Sequence, residues 1–222
     1  MHLYLIRHGE SGGNAALPGH PENGPSGSPR GAGTDASGDP ALTDRGVQQA
    51  RLVADAVTQM GIAVLYSSPL VRALQTASEI GARLGLRINV WPDLAEFWDG
   101  ERNVLTRSEI ARRWPGVILP PDMPEDWKPA RLPEDESAAY ERAARIEQAV
   151  RARCEETEAR AALVGHGTFG AILISRILGA PPCGYTRFSQ HNCCISLIEV
   201  LPGRAKLVYH NRTSHLPADL IT

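Results

Sequence analysis

His2-Leu3-Tyr4-Leu5-Ile6-Arg7-His8-Gly9-Glu10 decides the fold of this chain. Its first five residues form a short, nearly continuous apolar run, the pattern of a strand buried on both faces. The run breaks abruptly into an arginine, a histidine and a glycine. Ala161-Ala162-Leu163-Val164 followed by Gly165-His166-Gly167 repeats the pattern, and 62–66 leads into Ser67-Ser68-Pro69-Leu70-Val71-Arg72. Strands at 86–90, 194–200 and 205–210 complete the set, the last two joined by a turn at Pro202-Gly203.

Helices alternate with these strands. Thr43 and Asp44 open one, with Val47, Ala50, Ala54 and Val57 at helical spacing and Gly61 at its end. Ser68 as N-cap and Pro69 at the first helical position open a second, closed by Gly85. A long amphipathic helix covers 136–157, with Tyr140, Ala143, Ile146, Val150 and Cys154 on one stripe. Its pairs Glu141–Arg145 and Glu147–Arg151 read as a solvated face. An apolar helix follows Gly167. The alternation predicts an α/β fold, a three-layer α/β/α sandwich with a mainly parallel central sheet.

Composition narrows the function. Lys plus Arg number 23 and Asp plus Glu 25 in 222 residues, so no basic field favours nucleic acid. No apolar run suits a membrane span, and Arg7, His8 and Glu10 interrupt the first apolar run as a signal peptide would not allow. Four Cys, with Cys193 and Cys194 adjacent, give neither a disulfide framework nor metal-ligand spacing. A cytoplasmic protein is expected. Of 38 Gly and Pro, 13 lie in 12–40 and 7 in 115–133, so the chain reads as one domain over 1–222 with insertions at 12–40 and 96–135.

In an open α/β sheet, ligands bind beyond the carboxyl ends of the strands, where two His and two Arg would converge here. Arg carries rigid forked donors that match phosphate, and His offers a nucleophilic nitrogen at neutral pH. The set suits phosphoryl transfer, which lacks only a proton donor for the leaving alkoxide.

Several motifs then occur in a fixed order: Arg7-His8-Gly9-Glu10-Ser11 with Asn14; Leu42-Thr43-x-x-Gly46 with Gln49-Ala50; Ser67-Ser68-Pro69-Leu70-x-Arg72-Ala73-x-Gln75-Thr76-Ala77; Leu94-x-Glu96; and Gly165-His166-Gly167. In these the chain resembles the histidine phosphatase superfamily over almost its whole length. The resemblance implies His8 as phospho-accepting nucleophile, and Arg7, Arg72 and His166 as the phosphate cradle. It implies Glu96 as proton donor, with Asp99 or Glu101 as alternatives because Phe97-Trp98-Asp99-Gly100-Glu101 departs from the family pattern. Asn14 and Ser11 match positions lining the phosphate pocket.

No metal or organic cofactor is implied, and the expected partner is a small phosphomonoester. Gly13 stands where the mutases of the family carry an aromatic residue, and 97–99 lacks their basic, aromatic stretch; hydrolysis is therefore favoured over phosphoglycerate-mutase-type transfer. A catalytically silent binding module is the remaining alternative. Arg30, Trp98, Trp114, Trp127, Lys128 and Arg131 are candidates for substrate contact, the tryptophans equally for loop anchoring. The first insertion is expected to act as a lid.

Overall fold

A computed structural model describes residues 1–15, 39–97, 104–128, 134–156, 159–181 and 188–222, with the backbone alone at 154–156. The greater part of the expected lid, Arg30, Trp98, Asp99, Glu101 and Arg131 lie outside these residues, as does the Cys154 side chain.

One six-stranded sheet organises the described chain: β1 (His2–Arg7), β2 (Val64–Ser67), β3 (Ile88–Val90), β4 (Arg160–Gly165), β5 (Ile195–Leu201) and β6 (Arg204–Arg212). Their order is β3-β2-β4-β1-β5-β6. The first four positions are mutually parallel, while β5 runs antiparallel to β1 and β6 antiparallel to β5. The sheet is thus mixed, with a parallel body and an antiparallel hairpin at one edge. β1 and β4 lie side by side in a register that sets Arg7 opposite Gly165, so their two His-bearing ends are neighbours.

Helices cover both faces. α1 (Gly12–Ala15), α2 (Asp44–Ala56), α3 (Val71–Leu84), α4 (Arg107–Arg113), α5 (Glu136–Glu156) and α6 (Gly167–Ile177) complete the described elements, with short 3-10 turns between them. Alternate strand residues feed two cores. Tyr4, Ile6, Leu65 and Val164 pack with Val53, Leu74 and Ile80 of α2 and α3. Leu3, Leu5 and Leu163 pack with Ile146 of α5 and Phe169 and Leu173 of α6. Burying both sheet faces is what lets continuous apolar strands exist in water. No helix among the described residues is long and apolar enough to cross a membrane.

Local signals are obeyed with two exceptions. Thr43 caps α2 by accepting from Gly46 N at 3.0 Å, and Gly61 and Gly85 take left-handed φ of 64° and 67° at the expected stops. The second helix, however, begins at Val71 with Leu70 as its N-cap residue, not at Ser68-Pro69. The Ser68 hydroxyl accepts from Leu70 N at 3.3 Å just ahead of the helix and also meets His166, while Asp39 Oδ2 accepts from Val71 N at 2.9 Å. On α5, Arg145 pairs with Asp93 at 2.7 Å, whereas Arg151 does reach Glu147 at 2.8 Å. Trp127 is 8% exposed in the first core, and Trp114 packs against it, so both anchor their segment to the body.

Candidate active site

The β1 end is held by a backbone-to-backbone contact that only glycine permits. A Cβ on Gly9 would lie 2.5 Å from Gly46 O, and one on Gly46 would lie 2.0 Å from Glu10 O. The Arg7-His8-Gly9-Glu10 turn therefore rests directly on the first turn of α2. Glu10 N donates to Gln49 Oε1 at 2.7 Å, Thr43 Oγ1 donates to Glu10 Oε1 at 2.7 Å, and Gly9 N donates to Thr76 Oγ1 at 3.1 Å. Two further motifs of the sequence thus serve to fix this turn.

His8 is buried, with Nδ1 2.6 Å from Gly9 O. A carbonyl can only accept, so Nδ1 carries the proton and Nε2 keeps its lone pair. Arg72 Nε donates to that Nε2 at 3.1 Å. Burial, followed by the charges of Arg72 and Arg7, holds the His8 pKa well below the usual histidine value. His166 lies across from it, with ring centroids 5.1 Å apart, and burial and the same cations lower its pKa likewise. Ser68 Oγ lies 2.7 Å from His166 Nε2.

Two buried polar atoms here have no hydrogen-bond partner among the described residues: Arg7 Nε and His166 Nδ1. Arg7 reaches Gln190 O through Nη1, and Gln190 Nε2 donates to Gly167 O at 3.2 Å. Gly167 leaves room beside Arg7, since a Cβ there would sit 3.3 Å from Arg7 Nε. The His8 Nε2 lone pair, two guanidinium groups and a second histidine therefore lie in one buried cluster that holds an unpartnered guanidinium N–H and an unpartnered ring nitrogen. An orphaned buried donor costs about 1–3 kcal/mol, and an anion beside Arg7 Nε would satisfy it.

Glu96 reaches the same cluster from the segment after β3. Its carboxylate accepts from Phe169 N at 2.7 Å, from Thr168 N at 3.3 Å and from Phe97 N at 2.8 Å. It thus caps α6 one turn from His166, and its charge opposes the desolvation of Arg7. Asn14 Oδ1 accepts from Ser11 N at 3.2 Å, from Ser11 Oγ at 3.1 Å and from Asn192 Nδ2 at 3.2 Å. Ser11 spends its hydroxyl on orienting Asn14.

Sequence reasoning overlooked several members of the site. Asp39 is 1% exposed and accepts from Arg72 Nη1 at 3.1 Å, fixing that guanidinium against His8. Asn192 Nδ2 donates to His8 O at 2.9 Å. Ser68 has the Ser-Pro pattern of a helix cap, which hides its contact with His166. Asp39 lies in a Gly- and Pro-rich stretch and Asn192 in an irregular one, so no periodicity marks either. Cys193 and Cys194 are buried behind the turn, where burial pushes the Cys194 thiol up to about 12. Among the described residues no group of three or more His, Cys, Asp or Glu is arranged to hold a metal ion.

Comparison with known proteins identifies the family and the fold. The model of the histidine phosphatase superfamily (branch 1) matches residues 3–213. The chain is 30% identical over 203 residues to the probable phosphoglycerate mutase GpmB of Erwinia tasmaniensis, covering 90% of this chain and 85% of that protein. It is 32% identical over 204 residues to the protein of the same name in Escherichia fergusonii, with the same coverage. Among solved structures, phosphoserine phosphatase of Entamoeba histolytica in complex with 3-phosphoglyceric acid superposes with a TM-score of 0.66 at 24% identity, over 97% of this chain and 99% of that one. The α-ribazole phosphatase of Shigella flexneri gives a TM-score of 0.67 at 21% identity, over 96% of both chains.

Proposed function

We propose that this chain, which belongs to the histidine phosphatase superfamily (branch 1), hydrolyses a small phosphomonoester through a phosphohistidine formed on His8. The observation that carries the reading is the unprotonated Nε2 of His8 in a buried cluster that leaves the Arg7 Nε donor and the ring nitrogen His166 Nδ1 without partners. A phosphoryl group entering there would take the Arg72 N–H from His8 Nε2 and satisfy Arg7 Nε, and would satisfy His166 Nδ1 in the tautomer that protonates it.

In the first step His8 Nε2 forms a bond to phosphorus as the bond to the leaving oxygen breaks. Glu96 gives its proton to that oxygen, and the alcohol departs. Arg7, Arg72 and His166 stabilise the charge spread over the phosphoryl oxygens. In the second step water attacks phosphorus and Glu96 takes its proton. Inorganic phosphate leaves, and His8 and Glu96 return to their starting states. No metal or organic cofactor takes part in this scheme.

The names of the curated relatives favour a second reading, in which the phosphoryl group returns to another hydroxyl of the substrate as in a phosphoglycerate mutase. Gly13 and the stretch after Glu96 weigh against it. Incubation with 3-phosphoglycerate and with p-nitrophenyl phosphate separates the two. The hydrolase reading expects inorganic phosphate from the aryl ester, lost in His8→Ala. Rapid conversion to 2-phosphoglycerate without phosphate release would make the chain a mutase.

A further inference from the structure

α5 carries a buried arginine that the phosphate chemistry does not use. Arg142 is 6% exposed, and all five of its N–H groups have acceptors. Nε donates to Glu134 Oε1 at 2.8 Å and Nη2 to Glu134 Oε2 at 2.6 Å. Nη1 donates to Asp93 O at 2.6 Å and to Ala95 O at 2.7 Å, and the second Nη2 proton faces Glu96 O at 3.5 Å. Its guanidinium lies 3.7 Å from the centre of the Phe169 ring. Arg145, one turn along, grips the Asp93 carboxylate through two bonds of 3.0 and 2.7 Å.

Replacing a buried ion pair by apolar residues is often neutral or stabilising, so stability alone is weak reason for this one. Its geometry offers a better reason. One fork holds the backbone of 93–96 on one side and the ring of Phe169 on the other. Phe169 N is the donor closest to the Glu96 carboxylate, at 2.7 Å. The backbone that carries Glu96 and the helix turn that grips it are therefore tied to the same guanidinium.

We infer that Arg142, held by Glu134, is a positioning residue that sets the Glu96 carboxyl at the leaving-group oxygen. The inference rests on Glu96 as proton donor. Arg142→Lys is the first test, because it keeps the charge beside Glu134 while three donors on one nitrogen cannot reproduce a five-donor fork. The readout is kcat/KM for a series of phosphomonoesters against the pKa of the leaving group. A good leaving group such as p-nitrophenolate departs without a proton, whereas an alkoxide does not.

General acids contribute about 10²–10⁴-fold, so misplacing one should cost alkyl phosphates about tenfold or more and p-nitrophenyl phosphate less than about threefold. Glu96→Gln provides the reference for complete loss of the acid, a steep dependence on leaving-group pKa. A steeper dependence in Arg142→Lys than in the wild type bears the inference out. An equal loss across the series shows a structural role and overturns it. Should Arg142→Lys fail to fold, Glu134→Gln with Arg142→Met removes both charges together and takes its place; if neither folds, Arg142 is a folding residue and the inference falls. A flat series in Glu96→Gln overturns the donor assignment and this inference with it. A steep series there beside a flat one in Arg142→Lys overturns the inference alone.

Discussion

His8 and His166 are neutral imidazoles in a fold that surrounds them with two guanidinium groups. Such a ring offers its lone pair over the whole neutral range, but it makes the protein sensitive to acid. An unfolded histidine takes a proton at about pH 6.5, and the folded ones do so only well below that. Below pH 6.5 the unfolded chain therefore binds more protons, and acid draws the equilibrium towards it. The stability these rings contribute is whole above pH 6.5 and is lost as the pH falls towards their folded pKa values. Each proton of difference is worth about 1.4 kcal/mol per pH unit. Unfolding free energies measured between pH 7 and pH 5 should fall less steeply in His8→Asn than in the wild type, by about that slope. Parallel curves would show that His8 is not held neutral by its surroundings.

Gly9 and Gly46 decide how the elements meet. The β1 turn and the first turn of α2 touch through backbone, so the two glycines of separate motifs serve one contact. In Gly46→Ala a Cβ 2.0 Å from Glu10 O must push the two segments apart. The cost should be about 1–3 kcal/mol by denaturant unfolding, the usual price of overpacking, with kcat falling as His8 moves. Wild-type stability in that variant would mean the contact has slack. The spacing Leu42-Thr43-x-x-Gly46 announced the helix start, and the order of motifs picked out residues that the fold brings together around His8. The contact itself was invisible, because two glycines 37 positions apart carry no pattern that pairs them. Ser68 shows the same limit: a Ser-Pro pair is an ordinary helix start, and only the adjacent β4 end turns its hydroxyl to His166.

At the scale of the whole molecule, strand order does what sequence order cannot. Setting β4 between β1 and β2 brings together chain segments beginning at residues 7, 68 and 165, while α5 supplies the guanidinium that holds the segment of Glu96. The parallel body was legible from apolar runs ending in chemistry. The roles of Asp39 and Asn192 were not, since each sits in an irregular segment; Arg142 lies on the buried face of α5, between Ala139 and Ile146, and its charge alone assigned it to solvent. The charges of α5 read as a solvated face for that reason. All these parts converge on His8 Nε2. Brief exposure to a phosphomonoester labelled on phosphorus, followed by an alkaline denaturing quench, should leave label that survives base, is released by acid and maps to the peptide holding His8. His8→Asn should carry none. Hydrolysis at the wild-type rate in His8→Asn, or label on any other residue, would contradict a phosphohistidine at this position.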